Sequence, residues 1–197
     1  MTNEKDIPEQ TEGSSKDIQE VAHCKTLDEA HWLFNQGRYK LLNVNNWNEW
    51  CGNDGADFCL MDETGEHLEG VANVGDFIRI DIPGPGSNEG SGYDWVKIVD
   101  IKDKDGLFTM TVKPDSDPNA ETKDTTHFFD KDASSTFEVS LHDRDVLAAV
   151  HGRNEKPNTE VQNFFDKIRN FVVGKTAIAG FANLQWSRLV KGVLDRD

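Results

Sequence analysis

The sequence predicts an α+β domain in which a curved antiparallel sheet packs on a long C-terminal helix. Three observations support this class: helical patterns near the N-terminus, a run of segments with period-two alternation, and a final apolar pattern of helical period. Helices and strands that are segregated along a chain, instead of alternating regularly, are typical of α+β domains. The length of 197 residues is suited to a single core.

The N-terminal segment predicts no structure of its own. Residues 1–20 contain many acidic and small polar side chains and almost no apolar ones. Such a segment buries too little apolar surface to offset the entropy lost on ordering. We therefore predict a disordered acidic tail over residues 1–20 and a single α+β domain over residues 21–197.

Two helices are predicted after this tail. Thr26 and Glu29 have the spacing of a capping box, and Gly37 is suited to end the first helix. One face of that helix is apolar and consists of Leu27, Ala30, Leu33 and Phe34. In the segment LLNVNNWNEW, three bulky residues recur at intervals of three, namely Val44, Trp47 and Trp50. This spacing places them on one side of a short second helix, which we expect to be buried.

Alternation of apolar and polar residues predicts the strands of the sheet. The alternating segments are Phe58–Leu60, Phe77–Ile82, Tyr93–Ile101, Leu107–Val112, Ser135–Leu141 and Val146–Arg153. The turns KDKDG and HDRD each join two of these segments and predict antiparallel hairpins. Residues 113–133 are polar, contain two prolines and lack a period, so we predict a long surface loop there.

The C-terminal part of the chain predicts a long amphipathic helix. Pro157 ends the last strand, and Asn158 or Thr159 is suited to cap the helix. Apolar residues then recur at helical spacing from Val161 to Val193. Such a helix needs an apolar surface to cover, and a curved sheet supplies one.

This order of elements resembles a known architecture. The early helices ending in NNWNEW, the strands from Phe58 to Arg153 and the amphipathic helix from Thr159 resemble the helix-grip fold of START-like and polyketide-cyclase-like ligand-binding proteins. The resemblance covers most of the chain and implies that the sheet wraps the final helix around a cavity. It is architectural, and no functional residue is transferred from it. Before the first helix, the only segment available for an initial strand is the weakly patterned IQEVAHC.

The charge of the chain argues against two classes of partner. The formal net charge is −15, which repels the phosphates of nucleic acids and of anionic lipid surfaces. No apolar run approaches the roughly 20 residues that span a bilayer. We therefore predict neither a nucleic-acid partner nor a membrane partner.

The cysteines and the N-terminus favour the cytoplasm. Cys24, Cys51 and Cys59 are odd in number and lack CxxC spacing, which favours free thiols in a reducing compartment. The first residues show no basic start followed by an apolar stretch, so no secretory signal is predicted.

The aromatic content suggests where a ligand binds. Ligand cavities are mostly apolar with a few polar groups, and we predict that the protein binds a small apolar ligand between the sheet and the C-terminal helix. The predicted lining consists of Trp47, Trp50, Trp95, Phe108, His151, Arg153, Phe165 and Trp186. The competing interpretation is that the same side chains fill a closed core.

Two other functions stay open at this point. The acidic tail and the loop at residues 113–133 suggest a protein-interaction or regulatory module without catalysis. Alternatively, His151, Arg153 and Glu155 alternate on the last strand and would share one face, as a base, a cation and an acid in a cyclase- or hydrolase-like enzyme. A solvent-facing polar stripe gives the same pattern.

No motif predicts a cofactor, a metal or a catalytic residue. The six histidines form no HExxH pattern. The calcium-like run that starts at Asp115 has Ala120 where the turn glycine belongs and Thr126 where the bidentate glutamate belongs. The glycine-rich segment at residues 84–92 contains no lysine, so a flexible hairpin loop explains it better than a phosphate-binding loop.

Overall fold

The computed structural model describes residues 6–52, 56–81, 93–120, 129–156 and 174–196, with side chains from residue 184 onward in the last range. Its elements, in chain order, are β1 (Ser14–His23), α1 (Leu27–Leu42), a 3₁₀ turn (Val44–Asn46), α2 (Trp47–Cys51), β2 (Asp57–Met61), β3 (Phe77–Asp81), β4 (Asp94–Lys104), β5 (Leu107–Pro114), β6 (Ser134–His142), β7 (Asp145–Glu155) and α3 (Gly174–Val193).

The strands form one antiparallel sheet. Their order is β1-β7-β6-β5-β4-β3-β2, so the first strand lies beside the last and every other strand lies beside its neighbour in sequence. The predicted hairpins β4–β5 and β6–β7 are present. Two helices are inserted between β1 and β2, and a long helix follows β7. This is the helix-grip topology, which confirms the predicted fold class and the predicted resemblance.

The helix α1 confirms one predicted signal and corrects another. The hydroxyl of the N-cap Thr26 accepts the N–H of Glu29 at 3.1 Å, which is the first bond of a capping box. The Glu29 carboxylate reaches one residue beyond the N-cap and accepts the N–H of Lys25 at 2.7 Å. Gly37 does not end the helix, which continues to Leu42. A methyl group at Gly37 would lie 3.1 Å from a Val193 methyl, so this glycine is a site of close packing.

The prediction of a disordered tail is wrong for residues 6–20. Residues 14–20 belong to β1, which pairs with β7 from Ser14 opposite Glu155 to His23 opposite Asp145. Before β1, the Asn154 side chain accepts the N–H groups of Thr11 and Glu12. Composition misses this order because it comes from hydrogen bonds to an adjacent strand and not from apolar burial.

The N-terminal residues also cross one face of the sheet. Asp6 forms ion pairs with Lys102 at 3.0 Å and Lys104 at 3.4 Å, both on β4. Because Asn154 lies near the end of β7, residues 6–12 run from β4 across to β7.

The two faces of the sheet differ in character. Helices α1 and α3 pack on the inner face, and its buried apolar residues include Phe58, Leu60, Ile78, Ile98, Phe108, Met110, Phe137, Val139 and Val150. The opposite, outer face has a small apolar cluster of Met61, Phe77 and Trp95 at β2–β4. Over β5–β7 it has a strip of buried polar side chains, namely Thr109, Thr111, Ser134, Thr136, Glu138, Ser140 and His151.

The helix α3 is fixed by α1 and α2. Lys40 donates hydrogen bonds from Nζ to the carbonyl oxygens of Gly192 and Asp195, at 2.8 and 2.9 Å. A methyl group at Gly192 would lie 2.6 Å from the carbonyl oxygen of Trp50, so only glycine permits this approach. The predicted start of the helix at Thr159 lies outside the described residues. Within the described ranges, no helix combines the length and hydropathy needed to cross a bilayer.

Candidate functional site

An aromatic cluster lies on the inner face, between the sheet and α3. The Trp47 ring centroid lies 5.2 Å from that of Phe58 on β2 and 4.9 Å from that of Phe137 on β6. Trp186 of α3 completes the cluster, 5.2 Å from Phe137 and 6.4 Å from Trp47, with both pairs edge-to-face. The cluster therefore connects α2, α3 and two strands through ring contacts.

Gln185 supplies a polar group beside this cluster. Only 4% of this residue is exposed. Its Oε1 accepts the N–H of Ala56 at 3.1 Å, whereas its Nε2 has only the thiol of Cys51, a weak acceptor, beside it among the described residues and forms no hydrogen bond of good geometry. Buried donors are nearly always paired in folded proteins. The Gln185 amide is thus a donor without a strong acceptor in an apolar environment.

Asp94 supplies a second polar group at the same end of the inner face. Asp94 pairs with Ile80, and Ile80 pairs with Phe58, so the three side chains form one row across β4, β3 and β2. No described residue forms a hydrogen bond or ion pair with the Asp94 carboxyl group, and desolvation raises its pKa well above the usual range. Desolvation therefore favours the neutral acid, which has a proton to donate.

Cys51 lies next to Gln185 and is not a nucleophile. Burial raises the pKa of the Cys51 thiol to about 11, although Gln185 and Arg188 partly oppose this shift. The thiol is therefore protonated at neutral pH. It adds a small, weakly polar surface to the site.

The structure divides the predicted lining residues between the two faces. Trp47, Phe108 and Trp186 belong to the inner face or its cluster, and Trp50 packs against the same core. Trp95, His151 and Arg153 lie on the outer face, so the prediction that they line a cavity between sheet and helix is wrong. A period-two pattern shows which residues share a face, but it does not show which face the helices cover. Phe165 lies outside the described residues.

His151 is part of a charged network on the outer face. Its Nδ1 lies 2.6 Å from the Asp17 carboxylate of β1, and its Nε2 lies 3.2 Å from the Glu138 carboxylate of β6. Arg153 donates a hydrogen bond to Asp17 at 2.8 Å. Glu138 is 0% exposed. The four side chains carry two positive and two negative charges when His151 is protonated, so the network is balanced.

The network shifts the pKa values of its members. Burial disfavours the charged imidazole, but hydrogen bonds and charges from Glu138 and Asp17 outweigh burial and raise the pKa of His151. Burial likewise opposes the charged Asp17, but Arg153 and His151 outweigh it and lower the pKa of Asp17. Both shifts favour the ionised pair.

This arrangement removes the basis of the enzyme hypothesis. Both ring nitrogens of His151 are engaged by carboxylates and the ring is buried, so it is not free to act as a general base. Glu155 also does not share a face with His151 and Arg153. The left-handed backbone of Asn154 turns the chain, and the Glu155 carboxylate occupies the space that a side chain at Gly152 would fill.

Sequence reasoning missed four residues of the inner-face site and the His151 network, namely Asp17, Asp94, Glu138 and Gln185. The position of Glu138 could have been predicted from strand pairing. Counting back from the HDRD turn pairs Thr136 with His151, which places Glu138 diagonally next to His151 on the same face. Asp17 was hidden in the predicted tail, while Asp94 and Gln185 have no pattern that separates them from other polar residues.

The pH dependence of stability follows from the network. A raised folded pKa means that His151 stabilises the fold fully below its unfolded pKa of about 6.5. This contribution is lost as pH rises through the folded pKa. We expect the difference in free energy of unfolding between wild type and His151→Gln to be largest near pH 5–6 and to shrink toward pH 9, measured by urea denaturation. A difference that does not change with pH would contradict a protonated His151.

The described residues show no metal site. No group of three His, Cys, Asp or Glu side chains in the described ranges is placed to hold a metal ion.

The hypothesis of an interaction module loses part of its basis. It was inferred from a free acidic tail and the loop at 113–133. Residues 6–20 contact or join the sheet, and residues 121–128 of the loop lie outside the described residues.

No family model matches the chain, and no curated protein matches its sequence. Several solved structures are similar in shape. A hypothetical protein from Helicobacter pylori matches with a TM-score of 0.48 and 12% identity over 89% of this chain and 86% of that chain. Major latex-like protein 151 from Panax ginseng matches with a TM-score of 0.46 and 14% identity over 93% of this chain and 100% of that chain.

Norcoclaurine synthase from Thalictrum flavum, in complex with dopamine and hydroxybenzaldehyde, matches with a TM-score of 0.43 and 11% identity over 97% of each chain. Likenesses at this level do not establish a function. The helix-grip assignment follows from the strand order and helix positions of this chain.

Proposed function

We propose that the protein binds a small, largely apolar molecule that carries a hydrogen-bond acceptor, between the inner face of the sheet and α3. The observation that carries the proposal is a pair of polar groups at one end of an otherwise apolar face: Gln185 Nε2, which has no strong acceptor among the described residues, and the Asp94 carboxyl group, which no described residue pairs with. Binding sites for small molecules combine apolar walls with a few such polar groups. Trp186 is only partly buried and would contact such a ligand.

The chemistry of these donors defines the ligand further. The Gln185 amide donates to a carbonyl or phenolic oxygen, and the Asp94 carboxyl group does so in its protonated form, which desolvation favours. A charged ligand would have to lose its hydration in this environment. We therefore propose a neutral molecule with aromatic or aliphatic bulk and one oxygen acceptor. The cytoplasm is the proposed compartment, since Cys24, Cys51 and Cys59 are all free thiols.

Two neutral naphthalene dyes test the proposal. Prodan carries a ketone, whereas N-phenylnaphthylamine has no carbonyl group. We expect both to bind one equivalent per chain with a blue shift in emission. Asp94→Leu is expected to weaken Prodan binding roughly fivefold, as loss of a net hydrogen bond of about 1 kcal/mol predicts, and to leave N-phenylnaphthylamine unchanged.

Matched variants complete this experiment. Asp94→Asn keeps a donor and is expected to keep most of the Prodan affinity, and Gln19→Leu changes an exposed residue of the edge strand β1 and serves as the control. The proposal fails if neither dye binds stoichiometrically, or if Asp94→Leu weakens both dyes equally.

A further inference from the structure

A cluster of cations on the outer face of β3–β5 has no function in the ligand site of the inner face. Arg79 pairs with Trp95 across β3–β4, and Lys97 pairs with Lys113 across β4–β5. Trp95 and Lys97 are two residues apart on β4, so all four side chains share the outer face. We call Arg79, Lys97 and Lys113 the cationic patch.

The cationic patch has no acidic partners within the described part of the chain. Its cations contact rings instead: the Arg79 guanidinium lies 4.5 Å from the Tyr93 ring centroid, and Lys97 Nζ lies 5.0 Å from that of Phe77. Elsewhere in the fold, cations such as Arg38 do pair with carboxylates, in that case Asp103 at 2.7 Å. The three cations therefore lie together on one face without an ion pair, on a chain of net charge −15.

The pairing of Lys97 with Lys113 adds a specific cost. Like charges directly opposite each other on one face of an antiparallel pair destabilise it. Both lysines are partly buried, which weakens screening by solvent. An anion bound beside both lysines would offset this repulsion.

A buried hydrogen-bond donor lies within the patch. Trp95 is 3% exposed, and its indole Nε1 has no acceptor among the described residues. Indole N–H groups usually have a partner when buried. The cross-strand pair places Trp95 next to Arg79, so an anion that displaces the side chains covering the indole would supply an acceptor.

We propose that the cationic patch binds a small oxyanion of two or more negative charges, a phosphate or a phosphate monoester, which accepts the Trp95 indole N–H. Three cations match a multiply charged group better than a single carboxylate. The rings of Phe77 and Tyr93 border the patch and would contact the organic part of a monoester. The acidic remainder of the chain disfavours an extended polyanion such as a nucleic acid.

The test follows the indole N–H signals of the five tryptophans by NMR during titration with inorganic phosphate. Trp95→Phe assigns the Trp95 signal. We expect a saturable shift of that signal with a Kd of about 1 mM or tighter, and no comparable shift with sodium chloride at matched ionic strength. The double variant Lys97→Gln/Lys113→Gln is expected to weaken binding at least tenfold, whereas Lys131→Gln, at an exposed lysine outside the patch, leaves it unchanged.

A second titration, with phenyl phosphate, identifies the source of the oxyanion. Tighter binding of phenyl phosphate than of inorganic phosphate indicates a monoester, and equal binding indicates free phosphate; both results support the site. The proposal is overturned if neither compound shifts the Trp95 signal, if chloride shifts it equally, or if the double variant binds as the wild type does.

A control measurement guards against misfolding and keeps the two sites distinct. In phosphate-free buffer, Lys113→Gln is expected to raise the denaturation midpoint, because it removes the like-charge pair, and saturating phosphate is expected to abolish that advantage. Asp94→Leu, on the opposite face, is expected to leave the phosphate response unchanged.

Discussion

Replacing His151 with alanine is expected to lower the free energy of unfolding by about 3–5 kcal/mol, the usual cost of removing one partner of a buried ion pair. The large effect arises because Glu138 is 0% exposed and its Oε2 atom loses the contact with His151 Nε2 at 3.2 Å. Its Oε1 atom already has no partner among the described residues. The variant therefore leaves a buried carboxylate unpaired. Urea denaturation at pH 6 measures the loss.

A second histidine on the same two strands is the matched control. His23 lies 2.7 Å from Asp145, and the side chains of this pair are 79% and 49% exposed. Exposed pairs of this kind contribute at most about 1 kcal/mol, so His23→Ala is expected to have a small effect. Both pairs join β1 to β7 through a histidine and an aspartate, so the comparison measures what burial and the additional partner Glu138 contribute at His151.

An apolar double variant separates two contributions to the free energy of unfolding: the destabilisation by an unpaired buried charge and the stabilisation by the intact network. Glu138→Met/His151→Phe removes both buried partners and keeps the volume, and such replacements are often neutral or stabilising. We expect the double variant to be more stable than His151→Ala. If His151→Ala costs no more than His23→Ala, the network does not hold β1, β6 and β7 together in the way described.

Much of the fold was predictable from local patterns. The HDRD turn between two alternating segments is sufficient to predict the β6–β7 hairpin, and Thr26 with Glu29 is sufficient to place the start of α1. These predictions succeed because turn geometry and capping depend on neighbouring residues. Helix and strand periods then divide the chain into an α+β order, which resembles the order of elements in the helix-grip fold.

The first strand was not predictable in the same way. Most residues of β1 are exposed, and their order depends on main-chain bonds to β7, which lies more than a hundred residues later in the sequence. The composition of a segment does not indicate whether a distant strand pairs with it. The same holds for Asn154, whose left-handed backbone moves Glu155 off the face of His151.

The candidate sites were predictable only in part, because face assignment needs the third dimension. The aromatic residues Trp47 and Trp186 were identified from their bulk, and they do lie between the sheet and α3. Trp95 and His151 also lie in alternating segments, but at the alternate positions whose side chains point to the outer face. Burial on the outer face was unexpected, since an antiparallel sheet often leaves one face solvated.

Trp47→Ala is expected to lower the free energy of unfolding by about 3–5 kcal/mol, the usual loss for a fully buried aromatic residue. Trp47 is 1% exposed and contacts the rings of Phe58, Phe137 and Trp186. Its indole N–H also donates to the carbonyl oxygens of Lys40 and Leu41, at 3.3 and 3.2 Å. The variant therefore removes packing between α2, α3 and the sheet, and thermal or urea denaturation measures the loss.

Trp32 provides the control for this prediction, because it lies on α1 and is 46% exposed. Trp32→Ala is expected to change the free energy of unfolding by less than about 1 kcal/mol. Equal losses in the two variants would show that the aromatic cluster does not join the helices to the sheet.

Added indole is expected to restore part of the stability of Trp47→Ala, because an apolar cavity that stays dry binds an apolar ring and favours the folded state. Such rescue would locate the lost stability in the space that the Trp47 ring fills between α2, α3 and the sheet.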